Sequence, residues 1–243
     1  MPETERYSET LRARLAEVRG RIEASAGRAG RAAGEVALIA VSKTHPVGLL
    51  REAVAAGAGD FGENRVQEAE GKIETLGRGA ARWHLIGHLQ SNKARRAVNL
   101  FDVIHTVDSV ALVGRLERLC AEEERDRLDA LIQVDLGGEA IRAGAGADEL
   151  PRIADAFAKC ERLRLTGLMT LPPFFEDAER VRPFFRRLRE LRDALRERGA
   201  FGAPGRGGEL SMGMSHDFEV AVEEGATMVR VGTAIFGARS VTD

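Results

Sequence analysis

Lysine is scarce in this sequence, and one lysine stands where amine chemistry could be used. Almost all of the positive charge is carried by arginine, and the lysines are Lys43, Lys72, Lys93 and Lys159. Unlike a guanidinium, an ammonium group can lose its proton and form an imine with a carbonyl compound. Lys72, Lys93 and Lys159 lie in polar helical patterns and need no special role. Lys43 comes two residues after the apolar run 36–41, and it is therefore the candidate nucleophile.

The position of Lys43 at the end of a buried strand would favour the neutral amine. Removal of an ammonium group from water lowers its pKa, which increases the fraction in the reactive form. The alternative is a lysine that extends from the strand end into solvent, and this residue alone does not distinguish the two arrangements.

Short apolar runs alternate with amphipathic helical patterns along the chain, an order typical of a parallel sheet built from βα units. Eight runs are predicted to be strands: residues 36–41, 59–62, 83–87, 103–106, 131–136, 165–170, 210–212 and 228–231. The helical patterns between them place apolar residues at i, i+3 and i+4, which would cover the outside of the sheet. We therefore predict the α/β class, with a single-domain TIM (β/α)8 barrel over residues 1–243.

The eighth predicted strand lacks a full helix after it, so another part of the chain must cover it. The N-terminal segment, about residues 3–26, has Leu11, Leu15, Val18 and Ile22 at helical spacing. We predict that this segment forms an extra helix that packs on the barrel and closes the ring.

Glycine-rich loops follow the seventh and eighth predicted strands. Loops at these positions of a TIM barrel commonly bind phosphate through backbone N–H groups in tight turns. Gly213 and Gly232 would let the backbone approach an anion closely, and the Ser215 and Thr233 hydroxyls could donate to it. A phosphate site across the barrel from a reactive lysine would hold a phosphorylated aldehyde at both ends.

Arg230 and the histidines are the remaining polar candidates. Strand alternation places Arg230 inside the barrel, where its guanidinium needs an acceptor. An internal carboxylate or a ligand could be that acceptor, and a structural ion pair is the commoner case.

In a strand, the spacing of His84 and His88 separates them by about 13 Å, so no metal site is predicted. His84 could line the barrel or be a hydrogen-bonded core histidine.

Composition and charge exclude several classes of function. The chain has 243 residues, a net charge of −2 and interspersed charges, which argues against nucleic-acid binding. The N-terminus has no apolar signal segment, and the longest apolar run is too short to span a bilayer. Cys120 and Cys160 have no metal-ligand spacing, as expected of reduced thiols. We therefore expect a soluble, cytoplasmic protein that binds neither nucleic acid nor membrane.

Several sequence blocks, in a fixed order, resemble one known family. The blocks are VALIAVSKTHP, FGENRVQEA, WHLIGHLQSNKAR, HTVDS, GLMTLPP and SMGMSHDFEVAVEEGATMVRVGTAIFG. Over about residues 36–237 the chain resembles the pyridoxal phosphate homeostasis protein family, which has the alanine racemase-like barrel of fold type III. The resemblance implies pyridoxal 5′-phosphate (PLP) as the cofactor and a role in intracellular vitamin B6 homeostasis.

The resemblance also implies a role for each candidate residue. Lys43 would hold PLP as an imine, a Schiff base, and Asn64 would lie beside the cofactor. The phosphate would be bound by three residues of the last two loops: Ser215, Gly232 and Thr233. Arg230 would face the pyridine nitrogen, where a permanent cation disfavours the pyridinium form and weakens the ring as an electron sink. Arg142 stands where relatives often carry lysine, and this difference does not alter the cofactor site.

The family role implies a protein that carries or buffers PLP, with PLP-dependent apoenzymes as recipients and no catalytic residue. We expect a monomer because a second domain is absent. A two-base racemase needs a second acid–base group opposite the lysine, typically a tyrosine from an added C-terminal β-domain. The sole tyrosine, Tyr7, lies in the N-terminal helix, which favours the non-catalytic role. Two alternatives stay open: a one-domain PLP-dependent amino-acid racemase with His84 as second base, and a PLP-free, aldolase-type barrel that uses Lys43.

Overall fold

The structure is a computed structural model that describes residues 3–137, 144–202 and 207–237. Arg142 lies outside the described residues. No helix within the described ranges is long and apolar enough to cross a membrane.

Eight parallel strands of the described chain close into a barrel, each paired with the next and the last paired with the first. The strands are β1 Ala37–Val41, β2 Asp60–Glu63, β3 Arg82–Leu85, β4 Val103–Val107, β5 Leu128–Val134, β6 Leu163–Thr170, β7 Glu209–Ser211 and β8 Met228–Val231. The predicted TIM barrel and its eight strands are confirmed, with strand ends shifted by at most three residues.

One helix precedes β1, the others follow strands, and together they cover the outside of the barrel. They are α1 Glu3–Arg28, α2 Val47–Ala55, α3 Val66–Leu76, α4 Ala94–Leu100, α5 Val110–Glu122, α6 Leu150–Phe157, α7 Arg182–Glu197, α8 Phe218–Glu223 and α9 Thr233–Phe236. Local signals explain some of their ends. The Ser109 hydroxyl, for example, accepts a hydrogen bond from the Leu112 N–H at 3.3 Å and caps the start of α5.

The predicted N-terminal helix is confirmed as α1, and it closes the ring. Its inner face buries the residues that the helical spacing singled out: Leu11, Leu15, Val18 and Ile22. The helix packs on α8, α9 and α2, and therefore covers the region that the single turn of α9 leaves open. The Arg21 guanidinium fixes its orientation through two hydrogen bonds, at 2.9 and 3.0 Å, to the Glu219 carboxylate on α8.

Most buried apolar residues of the described chain fall into two separate groups. The larger group fills the space between the sheet and the helices, and the smaller contains Val103, Leu131 and Met169. Polar contacts also cross the barrel. His105 Nδ1 on β4 lies 2.9 Å from Ser211 Oγ on β7. These strands are not neighbours, so the contact spans the interior of the barrel. The centre of the barrel is thus partly polar, which is unusual for a core and points to a site.

Candidate cofactor site

Lys43 lies in the loop between β1 and α2, at the carboxyl end of the barrel, and is half-buried. The next residue, Thr44, has a φ of +66°, a left-handed conformation that is uncommon for threonine. Hydrogen bonds hold both sides of the loop: the Ser42 N–H donates to the Gly62 carbonyl at 3.1 Å, and the Thr44 N–H donates to the Glu68 carboxylate. Hydrogen bonds therefore fix the backbone on both sides of Lys43.

Lys72 holds this loop through buried hydrogen bonds, so the expectation that it needs no special role is wrong. Its buried Nζ donates at 2.7 Å to each of three oxygens, which belong to the Ser42 carbonyl and to the carboxylates of Glu63 and Glu68. Burial raises the pKa of Glu63, and the Lys72 charge opposes that rise. The helical pattern around Lys72 could not show that β1 and β2 bring two buried acceptors to it.

Asn64 directly follows β2, and its backbone packs closely on the end of β3. A Cβ atom on Gly87 would lie only 2.3 Å from the Asn64 carbonyl oxygen, so only glycine permits this approach. The Thr106 hydroxyl donates to the Gly87 carbonyl at 3.0 Å and holds β3 and β4 together at this point. These contacts fix Asn64 at the same end of the barrel as Lys43.

The last two loops meet at the carboxyl ends of β7 and β8. The Gly232 N–H and the Ala234 N–H donate to the Ser215 hydroxyl at 3.2 and 3.5 Å. Thr233, the first residue of α9, is exposed. The structure therefore brings together Ser215, Gly232 and Thr233, whose hydroxyl and N–H groups could donate to an anion.

Gly213 and Asp217 shape the loop that carries Ser215. Gly213 has a φ of +90°, and a Cβ atom there would lie 2.9 Å from the Phe218 Cα. The Asp217 carboxylate accepts from the Met214 N–H at 2.6 Å. Burial raises the pKa of Asp217, while that hydrogen bond and the Arg230 charge act to lower it.

Arg230 is buried inside the barrel, as strand alternation predicts, and is only 3% exposed. Its Nη1 donates to the Ser211 hydroxyl at 2.6 Å, and its Nη2 donates to the Thr170 carbonyl at 2.9 Å. Among the described residues no carboxylate forms an ion pair with it, contrary to the commoner case expected for a buried arginine. Burial lowers the pKa of Arg230 to about 10, which still leaves a cation at neutral pH, and the Asp217 charge opposes the fall.

His84 is a hydrogen-bonded core histidine. Its Nε2 lies 2.9 Å from Asp60 Oδ1 and its Nδ1 lies 2.9 Å from His105 Nε2. Sequence reasoning assigned no role to His105, although its alternating position in β4 could have placed it inside the barrel. His88 is exposed beyond β3, and in the described part of the chain no three metal-ligating side chains are arranged to hold an ion.

Comparison with known proteins identifies the family. The model of the family described as alanine racemase, N-terminal domain, matches residues 15–240. The pyridoxal phosphate homeostasis protein of Aquifex aeolicus is 41% identical over 226 residues, which cover 93% of this chain and 97% of that protein. The chain belongs to the pyridoxal phosphate homeostasis protein family. Its relative of the same name from Escherichia coli K12 is 43% identical over 230 residues, 93% of this chain and 95% of that protein.

Solved structures of this family and of more distant proteins share the barrel. PipY of Synechococcus elongatus PCC7942, solved with PLP bound, superposes with a TM-score of 0.79 at 41% identity and covers 93% of this chain and 100% of PipY. Alanine racemase from Corynebacterium glutamicum superposes with a TM-score of 0.66 at 19% identity, covering 97% of this chain and 61% of the racemase, which shows a shared fold alone. The family resemblance is confirmed, and the roles of individual residues stay predictions.

Proposed function

We propose that this chain binds PLP as an imine on Lys43 and carries or buffers it in the cytoplasm, without a dedicated substrate. Its family relatives are named for PLP homeostasis, and PipY was solved with PLP bound. The observation that carries the proposal is that the lysine and the anion donors lie at the same mouth of the barrel. Lys43 follows β1 there, and the N–H and hydroxyl donors around Ser215 and Gly232 follow β7 and β8.

The residues of this mouth fit the chemical groups of PLP. When bound, PLP supplies an electrophilic aldehyde and an aromatic ring that can accept electrons. Lys43 supplies the amine for the aldehyde, and the donors of Ser215, Gly232 and Thr233 suit a phosphate. Arg230 has only neutral hydrogen-bond partners among the described residues, so its charge is available to an acceptor nitrogen.

Two features favour a carrier over a racemase. The Arg230 cation would disfavour protonation of the pyridine nitrogen, which makes carbanion chemistry on the ring harder. His84, the alternative second base, has both ring nitrogens engaged by His105 and Asp60. Asp60 begins β2, at the mouth opposite Lys43, so His84 is directed away from the lysine.

Absorbance spectroscopy tests the imine. Wild-type protein loaded with PLP should show a visible imine band, and borohydride reduction followed by mass mapping should place the modification on Lys43. Lys43→Ala should lose the band, whereas Lys159→Ala, which alters an exposed lysine, should keep it. A wild-type protein without the band, or an unchanged band in Lys43→Ala, overturns the assignment.

Two further assays separate carrier, racemase and PLP-free barrel. The loaded protein should restore the activity of a PLP-dependent apoenzyme, and it should not convert single L-amino acids into their enantiomers at enzyme-like rates. Rapid enantiomer formation would favour the racemase instead. A colourless protein that binds a sugar phosphate through Lys43 would favour the aldolase-type alternative.

A further inference from the structure

A continuous hydrogen-bonded chain joins Arg230 to Asp60 through the barrel. The Ser211 Oγ lies 2.6 Å from Arg230 Nη1 and 2.9 Å from His105 Nδ1. The other nitrogen of His105, Nε2, lies 2.9 Å from His84 Nδ1, and His84 Nε2 lies 2.9 Å from Asp60 Oδ1. The members lie on β8, β7, β4, β3 and β2, so the chain connects the cofactor side of the barrel with its amino-terminal mouth.

The chemistry of Arg230 sets the direction of the first hydrogen bond of this chain. A guanidinium has donors and no acceptor, so the Ser211 oxygen must accept from Arg230. The Ser211 hydroxyl proton is then free to donate to His105 Nδ1. A neutral His105 that accepts at Nδ1 carries its proton on Nε2 and donates it to His84 Nδ1.

The carboxylate at the other end sets the direction of the remaining hydrogen bonds. An ionised Asp60 only accepts, so His84 Nε2 must carry a proton and donate to it. A neutral His84 then has an unprotonated Nδ1, which accepts from His105 Nε2. The arginine end permits and the carboxylate end requires one pattern, in which each bond donates from Arg230 towards Asp60 and both histidines are Nε2–H tautomers.

Burial keeps the interior members of the chain neutral. The side chains of His84, His105 and Ser211 are at most 1% exposed, whereas the Asp60 side chain is 27% exposed. Burial lowers the pKa of His84 and lowers that of His105 well below its ordinary value. Asp60 is therefore the member of the chain that is in contact with solvent.

We propose that Ser211, His105 and His84 are positioning residues that orient Arg230, and that Asp60 sets their direction from the opposite mouth of the barrel. The part of this inference that concerns the cofactor ring rests on the proposed function. The chain itself is a property of the protein without cofactor. It links the hydrogen bonding of Arg230 to a solvent-accessible carboxylate four links away.

The chain orients Arg230 because it stops the Ser211 hydroxyl from rotating. Without His105 as acceptor, the hydroxyl could rotate and donate elsewhere, and its lone pairs would no longer be aimed at Arg230. The His84–His105 pair prevents this rotation. A neutral ring can accept at only one nitrogen, and because His105 Nε2 donates to His84, its Nδ1 must accept from Ser211. Other charged groups that act on the chain are Arg82 and Asp102 near the histidines and Asp217 near Arg230.

Nitrogen-15 NMR of the wild-type protein without PLP tests the direction of the chain. At pH 7 both His84 and His105 should show a protonated Nε2 and an unprotonated Nδ1. A protonated Nδ1 on either ring overturns the proposal. Because this measurement needs no cofactor, it decides the matter even if the proposed PLP binding fails.

The pH dependence of the cofactor absorbance tests the effect on Arg230. Ser211→Ala removes the first link, and Asp60→Asn removes the charge at the far end. Each should move the midpoint of the spectral titration by about half a pH unit, a threefold change in proton affinity. Ser25→Ala, a buried serine on α1 whose hydroxyl bonds to the Arg21 carbonyl, should leave it unchanged.

Asp129→Asn controls for long-range electrostatics, because it removes the same charge at the same mouth but outside the chain. Asp129 pairs with Arg82, Arg127 and Arg164. Thermal denaturation should first show that each variant is folded. A midpoint shift in Asp129→Asn as large as that in Asp60→Asn, or no shift in either Ser211→Ala or Asp60→Asn, overturns the positioning role.

Discussion

The Nζ atom of Lys72 lies 2.7 Å from the carbonyl oxygen of Ser42, the residue that precedes Lys43. The same ammonium pairs with the fully buried Glu63 carboxylate. A buried charge that loses its partner is costly because it has neither water nor a counter-ion. Lys72 therefore links the stability of the barrel to the position of the proposed imine lysine.

Lys72→Met should lower the free energy of unfolding by about 3–5 kcal/mol, the usual cost of breaking a buried ion pair from one side. Urea denaturation measures this change. Adding Glu63→Gln to Lys72→Met should recover part of the loss, because the unpaired charge is removed. The exposed Lys159→Met is the matched control and should change stability by less than about 0.5 kcal/mol. An equal effect at both lysines would contradict the structural role of Lys72.

Ser215→Ala should weaken PLP binding about tenfold. The variant removes a hydroxyl donor and leaves the Gly232 N–H without its present acceptor. Pyridoxal, which lacks the phosphate, should bind the variant and the wild type equally well in a fluorescence titration. Ser91→Ala, at an exposed serine, should bind both ligands normally. Equal weakening of both ligands would show that Ser215 does not contact the phosphate.

Stability should fall as the pH drops below about 6.5, the ordinary pKa of histidine. Burial lowers the pKa of His84 and His105, so the unfolded chain takes up their protons first as the pH falls. Their contribution to stability is therefore complete above 6.5 and is lost below it, at up to about 1.4 kcal/mol per pH unit for each ring. Urea denaturation at a series of pH values between about 4.5 and 7.5 measures the slope of the free energy of unfolding against pH.

Variants isolate the histidine contribution to that slope. Burial raises the pKa of Glu63 and Asp217, and a raised carboxyl pKa gives a slope of the opposite sign. The comparison of His84→Asn with wild type cancels this background and should show a shallower slope. His88→Asn, at an exposed histidine, should keep the wild-type slope. Identical slopes in all three proteins would contradict the burial of a neutral His84.

Leu15→Ala should destabilise the protein by about 2–5 kcal/mol, the usual cost of truncating a buried leucine. Leu15 is 1% exposed on the face of α1 that closes the barrel ring. Arg12→Ala, on the exposed side of the same helix, should have an effect below about 0.5 kcal/mol. Thermal and urea denaturation report both values. A small effect of Leu15→Ala would mean that α1 can detach without loss of the barrel.

Local sequence signals were sufficient for the strands, the closing helix and the loops that carry the proposed site. A buried parallel strand is a short apolar run, a covering helix shows apolar residues at helical spacing, and a tight anion-binding turn needs glycine. Each signal lies within a few neighbouring residues. Lys43, Asn64, Ser215 and Gly232 could thus be placed at strand ends before their spatial relations were known.

Only the tertiary structure decided which buried polar groups meet. Ser211 and His105 are 106 residues apart in the sequence, and Lys72 and Ser42 are 30 apart. Such contacts depend on strand register and barrel closure, which no local pattern encodes. For the same reason Arg230 could be placed inside the barrel from alternation, while its neutral partners and the direction of the chain to Asp60 required the folded geometry.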